Sequence, residues 1–352
     1  MRKHLILALV VAAACSRQPK APQIDISLGR QWADSAIALL DASDPIGVTA
    51  TGTVVARLAG HGDSAYRLVD SAGRPAGVAA TPAVGIWLAG DDSLLYTLAP
   101  GAKGVVSIKP DGSAGASYPL LQPGILRGVW GDSLDLVRPE MTGFTVSRMA
   151  VAGGGERVMV PAGAAEMTPL LDISPAGGGM RSQLASITTT KNRVVVANGL
   201  TYRMLVYSAD GSLIGTAGRA VDSAPRPTAR QVEAELARIR AADSSVTDKY
   251  LAMARQQLAR QPQPFFSAAQ GLRYDGAGRL WVVGYQADSA FADVFSDTTF
   301  VRRFPLACPG FNGQWDLKGS WLALGCGRRD PAAAGGELQL YRIREAAREK
   351  GG

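Results

Sequence analysis

Histidine is nearly missing from this chain: only His4 and His61 stand among its 352 residues. So small a supply excludes a histidine-rich metal centre and weakens every mechanism that needs imidazole as a general base. Cysteine is scarce too, with Cys15, Cys308 and Cys326 and no Cys-x-x-Cys spacing, so nothing has the form of a thiolate zinc site. Eight of the 37 basic residues are lysine, no basic run reaches five, and no basic stripe is interleaved with aromatics. The formal net charge of +7 therefore implies solubility and mild attraction to anions, and no nucleic-acid partner is expected. A phosphate loop is missing as well. The stretches "GAGR" (Gly276–Arg279) and "GGGM" (Gly177–Met180) lack the Gly-Lys-Ser/Thr ending and read as turns. No Asp-x-Asp-x-Asp-Gly loop occurs; Asp91, Asp92, Asp293 and Asp297 read as hairpin-turn carboxylates rather than Ca²⁺ ligands.

What is present begins at the amino end. In "MRKHLILALVVAAACS", Arg2 and Lys3 precede an apolar run and three alanines, the order of a secretory signal whose apolar run is too short to span a bilayer. A cysteine directly after small residues resembles the lipobox of bacterial lipoproteins. That resemblance implies a signal peptide over 1–14, lipidation of Cys15, and attachment to the membrane through the lipid. Ser16 rather than Asp after the cysteine points to the outer membrane on the same resemblance. An ordinary secretory signal with an incidental cysteine is the alternative. The stretch "SRQPKAPQ" reads as a tether, assigned with Cys15 to residues 15–30.

With His4 leaving in the leader, His61 becomes the one histidine of the mature chain. Cys308 and Cys326, 18 residues apart, are expected to pair as a disulfide in an exported protein. Such a closure contributes about 3 kcal/mol by restricting the unfolded chain. A pair of metal ligands is the rival, without a nearby histidine to support it.

The body of the chain repeats itself. "GDDSLLYTL" starts at Gly90 and "GDSLDLVRP" at Gly131; aligned on Asp-Ser-Leu they are 40 residues apart. Similar units start near Gly52, Asp92, Asp132, Lys191, Gly278 and Gly319, with spacings of 40, 40, 59, 87 and 41. Each holds short alternating strands and glycine-rich turns such as Pro110–Gly112 and Asp210-Gly211. One such unit cannot bury both faces of its sheet, whereas six arranged radially can. The expectation is an all-β, six-bladed β-propeller over residues 31–345, with a short tail at 346–352. The 59-residue spacing is read as a long loop around 153–186. The 87-residue spacing contains helical periodicity: Val232, Leu236 and Ile239, then Leu251, Ala254 and Leu258, with Thr228 and Gln231 in capping-box form. A helical hairpin over about 228–260 is therefore inserted between blades four and five, as a lid, a docking element or a structural cap.

Leader, six units with Asp-Gly turns and helical insertion together resemble the six-bladed β-propeller lipoproteins of bacteria, in the style of NHL and TolB-like propellers. The resemblance brings no catalytic residue. The local motif "HGDS", with His61, Asp63 and Ser64, reads as a hairpin tip, because neighbours on one turn do not face each other as a triad does. Trp87, Trp130, Trp281, Trp315 and Trp321 are expected to fill the spaces between blades.

Two functional readings follow. In the first, the chain is an exported, lipid-anchored, monomeric and non-enzymatic module that binds an envelope protein, a peptide or a glycan, without a cofactor. In the second, it is a metal-dependent hydrolase or lactonase with Ca²⁺ or another divalent ion in the central channel, which needs carboxylates converging from several blades.

Overall fold

The computed structural model describes residues 24–34, 46–57, 66–79, 84–90, 94–99, 104–120, 122–140, 143–151, 155–161, 168–172, 179–183, 186–220, 224–266, 271–286, 289–309, 311, 313–326 and 336–345. The leader, Cys15, the "HGDS" motif, Asp91, Asp92 and the tail after 345 lie outside the described residues, as does the side chain of Trp87.

Six four-stranded antiparallel sheets follow one another. An initial strand, Ile24–Asp34 (β1), is set aside for the last of them. The first sheet is Ile46–Val48 (β2), Val54–Arg57 (β3), Tyr66–Val69 (β4) and Pro75–Ala79 (β5). The second is Val84–Ala89 (β6), Leu95–Leu98 (β7), Gly104–Ile108 (β8) and Ala114–Pro119 (β9). The third is Ile125–Trp130 (β10), Ser133–Glu140 (β11), Gly143–Ala150 (β12) and Glu156–Val160 (β13). A separate two-stranded ribbon, Thr168–Asp172 (β14) with Gly179–Gln183 (β15), precedes the fourth sheet. That sheet is Ser186–Thr189 (β16), Arg193–Asn198 (β17), Arg203–Ser208 (β18) and Leu213–Gly218 (β19).

Two helices come next, Ala229–Ala242 (α1) and Asp248–Arg260 (α2), and then the fifth sheet. Its strands are Leu272–Tyr274 (β20), Leu280–Gln286 (β21), Ser289–Ser296 (β22) and Thr299–Leu306 (β23). The sixth takes Trp315–Lys318 (β24), Trp321–Cys326 (β25) and Gly336–Glu345 (β26), and is completed by β1 in the order β1-β26-β25-β24.

The first strands β2, β6, β10, β16, β20 and β24 each touch the next, and β24 returns to β2. That closed circuit makes the molecule a six-bladed β-propeller with the first strands around the axis. Between neighbouring blades lie six apolar clusters. Their composition explains why short runs such as "VVVA" are apolar on both sides. Val194 and Val196 of β17 join the cluster facing the third blade, while Val195 and Ala197 join the one facing the fifth. Alternate side chains serve opposite faces, so a strand buried on both faces loses its polar alternation.

The Asp-Gly turns have a positional reason. Gly112, at φ +87°, sits between β8 and β9, and a Cβ there would fall 2.8 Å from the carbonyl oxygen of Val78 on the preceding blade's outer strand. Gly211, at φ +91°, repeats this two blades later, 2.6 Å from the carbonyl oxygen of Met159. In these two blades the third turn thus docks on the previous blade's rim at a distance and a φ that favour glycine. The aspartate before it caps the same turn. The Ser208 hydroxyl and the Ser212 N–H hold the Asp210 carboxyl down to about 2.

Three sequence boundaries change. The unit starts near Gly52, Asp92, Asp132, Lys191, Gly278 and Gly319 precede second strands, because the first strands are short and interrupted by charge and glycine. In the third blade Asp132 stands at the turn after β10, and Ser133-Leu134 open the second strand β11. The tether expected over 15–30 loses Ile24–Arg30 to β1, which pairs Ile24 with Glu345 and Asp34 with Gly336. The long loop expected around 153–186 contains β13 and the β14–β15 ribbon, strands whose period is hidden by Gly, Pro and Met.

The helical insertion stands where expected, between blades four and five. Thr228 caps α1 through the Gln231 N–H, and Gln231 returns a side-chain bond to the Thr228 N–H. Val232, Leu236, Ile239, Leu251, Ala254 and Leu258 are buried against one another. The two helices therefore consume their own apolar faces. Phe266, 1% exposed, roots the return segment in the cluster between blades four and five.

Cys308 and Cys326 form the expected disulfide, Sγ atoms 2.00 Å apart. It ties the segment after β23 to β25, hence blade five to blade six. Replacing both cysteines by serine should cost about 3 kcal/mol, read as a lower urea midpoint with a slope that stays level or rises as the freed unfolded chain exposes more surface. An unchanged midpoint would show that blade packing alone fixes this junction.

Candidate functional site

The axial ring carries an unexpected set of buried polar side chains. Arg127 stands on β10, Ser186 and Thr188 on β16, Arg273 on β20 and Asp316 on β24, each less than a tenth exposed. Arg273 Nε donates to Asp316 Oδ1 at 2.8 Å. Asp316 Oδ2 accepts from the Val48 N–H at 3.0 Å, so one carboxylate joins three inner strands. Burial raises the Asp316 carboxyl above its ordinary value, against the pull of Arg273. Burial, reinforced by the charge of Arg273, pushes the Arg127 guanidinium down to about 9. The axis is thus electropositive, two arginines against one aspartate among the described residues.

Away from the axis the buried aspartates are locked into arginine cages. On β22, Asp293 is wholly buried. It receives Arg303 Nε at 2.7 Å, Arg303 Nη2 at 2.8 Å, Arg219 Nη1 at 3.2 Å and the Tyr202 hydroxyl at 2.5 Å. Its strand partner in register is Arg303 itself. The Arg303 guanidinium lies 3.8 Å from the centre of the Phe291 ring. Burial and the adjacent Asp293 charge raise the Tyr202 hydroxyl well above the ordinary tyrosine value, so it stays a donor.

The same device recurs in the third blade. Arg148 holds both oxygens of Asp135 at 2.7 and 2.8 Å and reaches the Thr190 and Lys191 carbonyls of the next blade. At the start of β21, Arg279 and the Trp281 indole N–H both bind Asp275. These aspartates are structural joints. Asp293, weighed from sequence as a turn carboxylate, sits inside a strand, while Asp297 does lie at a turn and pairs with Arg193 on the surface.

The tryptophans divide. Trp281 and Trp315 are fully buried between blades five and six, as expected. Trp130 and Trp321 are only half buried. Trp130 uses its indole N–H on Asp135. Trp321 lies under Arg342, 4.3 Å from ring centre to guanidinium. It lines an open rim cleft of about 660 Å³ with Ser71, Arg342, Arg344 and Glu345.

Arg127, Ser186, Arg273 and Asp316 were not singled out from sequence. A faint signal existed: charges set beside apolar residues in first-strand stretches, "GILRGVW", "GLRYDG" and "GQWDLKG". Nothing local says that these stretches meet. Among the described residues no three of His, Cys, Asp and Glu are grouped to hold a metal ion.

No protein-family model matches the chain, and no curated protein does. Among solved structures it is similar to a member of the DUF4221 family from Bacteroides vulgatus, at 10% identity and TM-score 0.51, covering 93% of this chain and 100% of that one. It is also similar to a putative exported protein from Bacteroides fragilis, at 8% identity and TM-score 0.48 over 93% and 98% of the two chains. BamB from Moraxella catarrhalis gives 8% identity and TM-score 0.38 over 90% and 98%. The first supports the propeller fold; none of them bears on what this chain binds.

Proposed function

We propose that the chain is an exported, lipid-anchored β-propeller working as a non-enzymatic binding or scaffold module for an envelope protein, a peptide or a glycan. The observation that carries this reading is the use of the buried aspartates. Asp135, Asp275, Asp293 and Asp316 are each held by an arginine, which leaves none of them poised as a general base. A rigid ring whose joints are filled this way is suited to presenting loops, and recognition commonly sits in loops on such frames.

The anchor fits the closure. From Cys15 to Ile24 the chain extends at most about 30 Å, so lipid on Cys15 keeps the outer strand of blade six near the bilayer. The hydrolase reading with Ca²⁺ or another divalent ion is less well supported. The axial carboxylate Asp316 already serves Arg273 and Val48, and a cation there would face two arginines.

Labelling cells with a palmitate analogue and expressing the Cys15→Ser variant tests the anchor: label and membrane association should both be lost. Elemental analysis of the purified Cys15→Ser protein tests the rest. A stoichiometric divalent ion that also raises the melting temperature would favour the hydrolase reading and call for a lactone and ester screen. Photocrosslinking in intact envelopes should instead give a discrete adduct from residues on one face of the disc.

A further inference from the structure

Three buried side chains on consecutive inner strands keep polar atoms that find no hydrogen-bond partner among the described residues. They are Arg127 Nε on β10, Ser186 Oγ on β16 and Arg273 Nη2 on β20. Their residues are 7%, 2% and 6% exposed. Because β16 touches both β10 and β20, Ser186 stands on the strand that separates the two arginines. Arg273 has committed Nε to Asp316 and Nη1 to the Leu272 carbonyl, so Nη2 is the donor left over.

Buried donors are almost always satisfied, and a charged one left alone is costly. Arg273 lies close enough for its charge to disfavour that of Arg127, which makes the cost larger. Proton loss offers no relief at neutral pH, because arginine keeps its proton there. Asp316 is engaged by Arg273 and the Val48 N–H, and Arg127 Nε finds no acceptor on it.

We propose that the central channel holds one oxyanion, a carboxylate or phosphate group, between Arg127 and Arg273, with the Ser186 hydroxyl as a third donor. Carboxylate and phosphate oxygens accept from guanidinium N–H groups, and charge-assisted bonds of this kind are the strong ones. A bound anion supplies the missing charge and the missing acceptors together. This site does not depend on the platform reading: it holds whether or not a face of the disc carries a partner.

Calorimetric titration of the full chain with inorganic phosphate and with acetate, at ionic strength matched by sodium chloride, provides the test. One saturable site is expected, with a melting temperature that rises on anion addition and not with chloride. Arg127→Met should weaken binding at least about tenfold, and Ser186→Ala by a smaller factor, as loss of charged and neutral donors predicts. Without anion, Arg127→Met should be as stable as the parent chain or more so, because it removes an uncompensated buried cation. Response to phosphate alone assigns a phosphoryl ligand, and response to acetate as well assigns a carboxylate. Absence of saturable binding to either anion would overturn the proposal, as would unchanged affinity in both variants. Should Arg127→Met fail to fold, the parent titration and Ser186→Ala still decide.

Discussion

Deleting Ile24–Asp34 is expected to leave a chain that does not fold cooperatively at 25 °C. β1 is the outer strand of the blade that joins the end of the chain to its beginning, in register from Ile24 against Glu345 to Asp34 against Gly336. Ile24 is 3% exposed within the cluster between blades five and six, and burying one such side chain contributes about 1.5–3 kcal/mol. Ile26 packs against the same cluster, and Trp32 against the one between blades six and one. Without β1, β26 becomes an open edge with unpaired backbone groups, a template for aggregation. The summed loss is comparable with the roughly 5–15 kcal/mol that holds a whole domain. Urea unfolding of chains starting at residue 16 and at residue 35 measures it. The longer chain should give one cooperative transition, and the shorter should be unfolded or insoluble. Adding a peptide of sequence 24–34 should restore part of the folded signal. Equal midpoints for the two chains would show that the ring closes without this strand.

The second large effect is expected at Asp293. Replacing it by alanine leaves Arg303 and Arg219 beside a site without a counter-charge, and Tyr202 without its acceptor. Breaking a fully buried ion pair by removing one partner costs about 3–5 kcal/mol; Arg303 and Arg219 are each about a third exposed, so a loss of about 2–3 kcal/mol is expected. The loss should appear as a lower urea midpoint, with earlier exchange of amides in β18, β22 and β23. Asp297→Ala is the control, four residues away in sequence. Its side chain is 70% exposed in its pair with Arg193, so removing it should cost under about 1 kcal/mol. Similar losses in both variants would mean that the Asp293 cage is screened and holds little.

These two residues also show where sequence reading reaches its limit. Asp293 and Asp297 look alike in the sequence, both acids near a hairpin in blade five. The difference between joint and surface pair comes from burial and from Arg219 and Tyr202, which arrive from the fourth blade. The axial set is a stronger case. The stretches "GILRGVW", "GLRYDG" and "GQWDLKG" each place a charge, Arg127, Arg273 or Asp316, beside apolar residues, but their convergence depends on the angle at which six blades meet. The tether shows the opposite limit. Residues 24–30 were read by composition, and composition does not reveal a partner strand more than 300 residues away.

What the sequence determined by itself was everything governed by near neighbours along the chain. Turns set by Asp-Gly pairs, strands alternating at period two, helices spaced at 3.6 with Thr228 as cap, and a repeat of about 40 residues all depend on local sterics and local hydrogen bonding. The Cys308–Cys326 pairing was within reach for a related reason, since only two cysteines remained to combine. Only the tertiary structure decided that β1 closes the ring, that Asp293 and Asp316 are shared between blades, and that Arg127, Ser186 and Arg273 stand on neighbouring inner strands. Such long-range contacts are fixed by which faces bury together and by charges that no longer have water to separate them, and neither quantity is written in any one stretch of the chain.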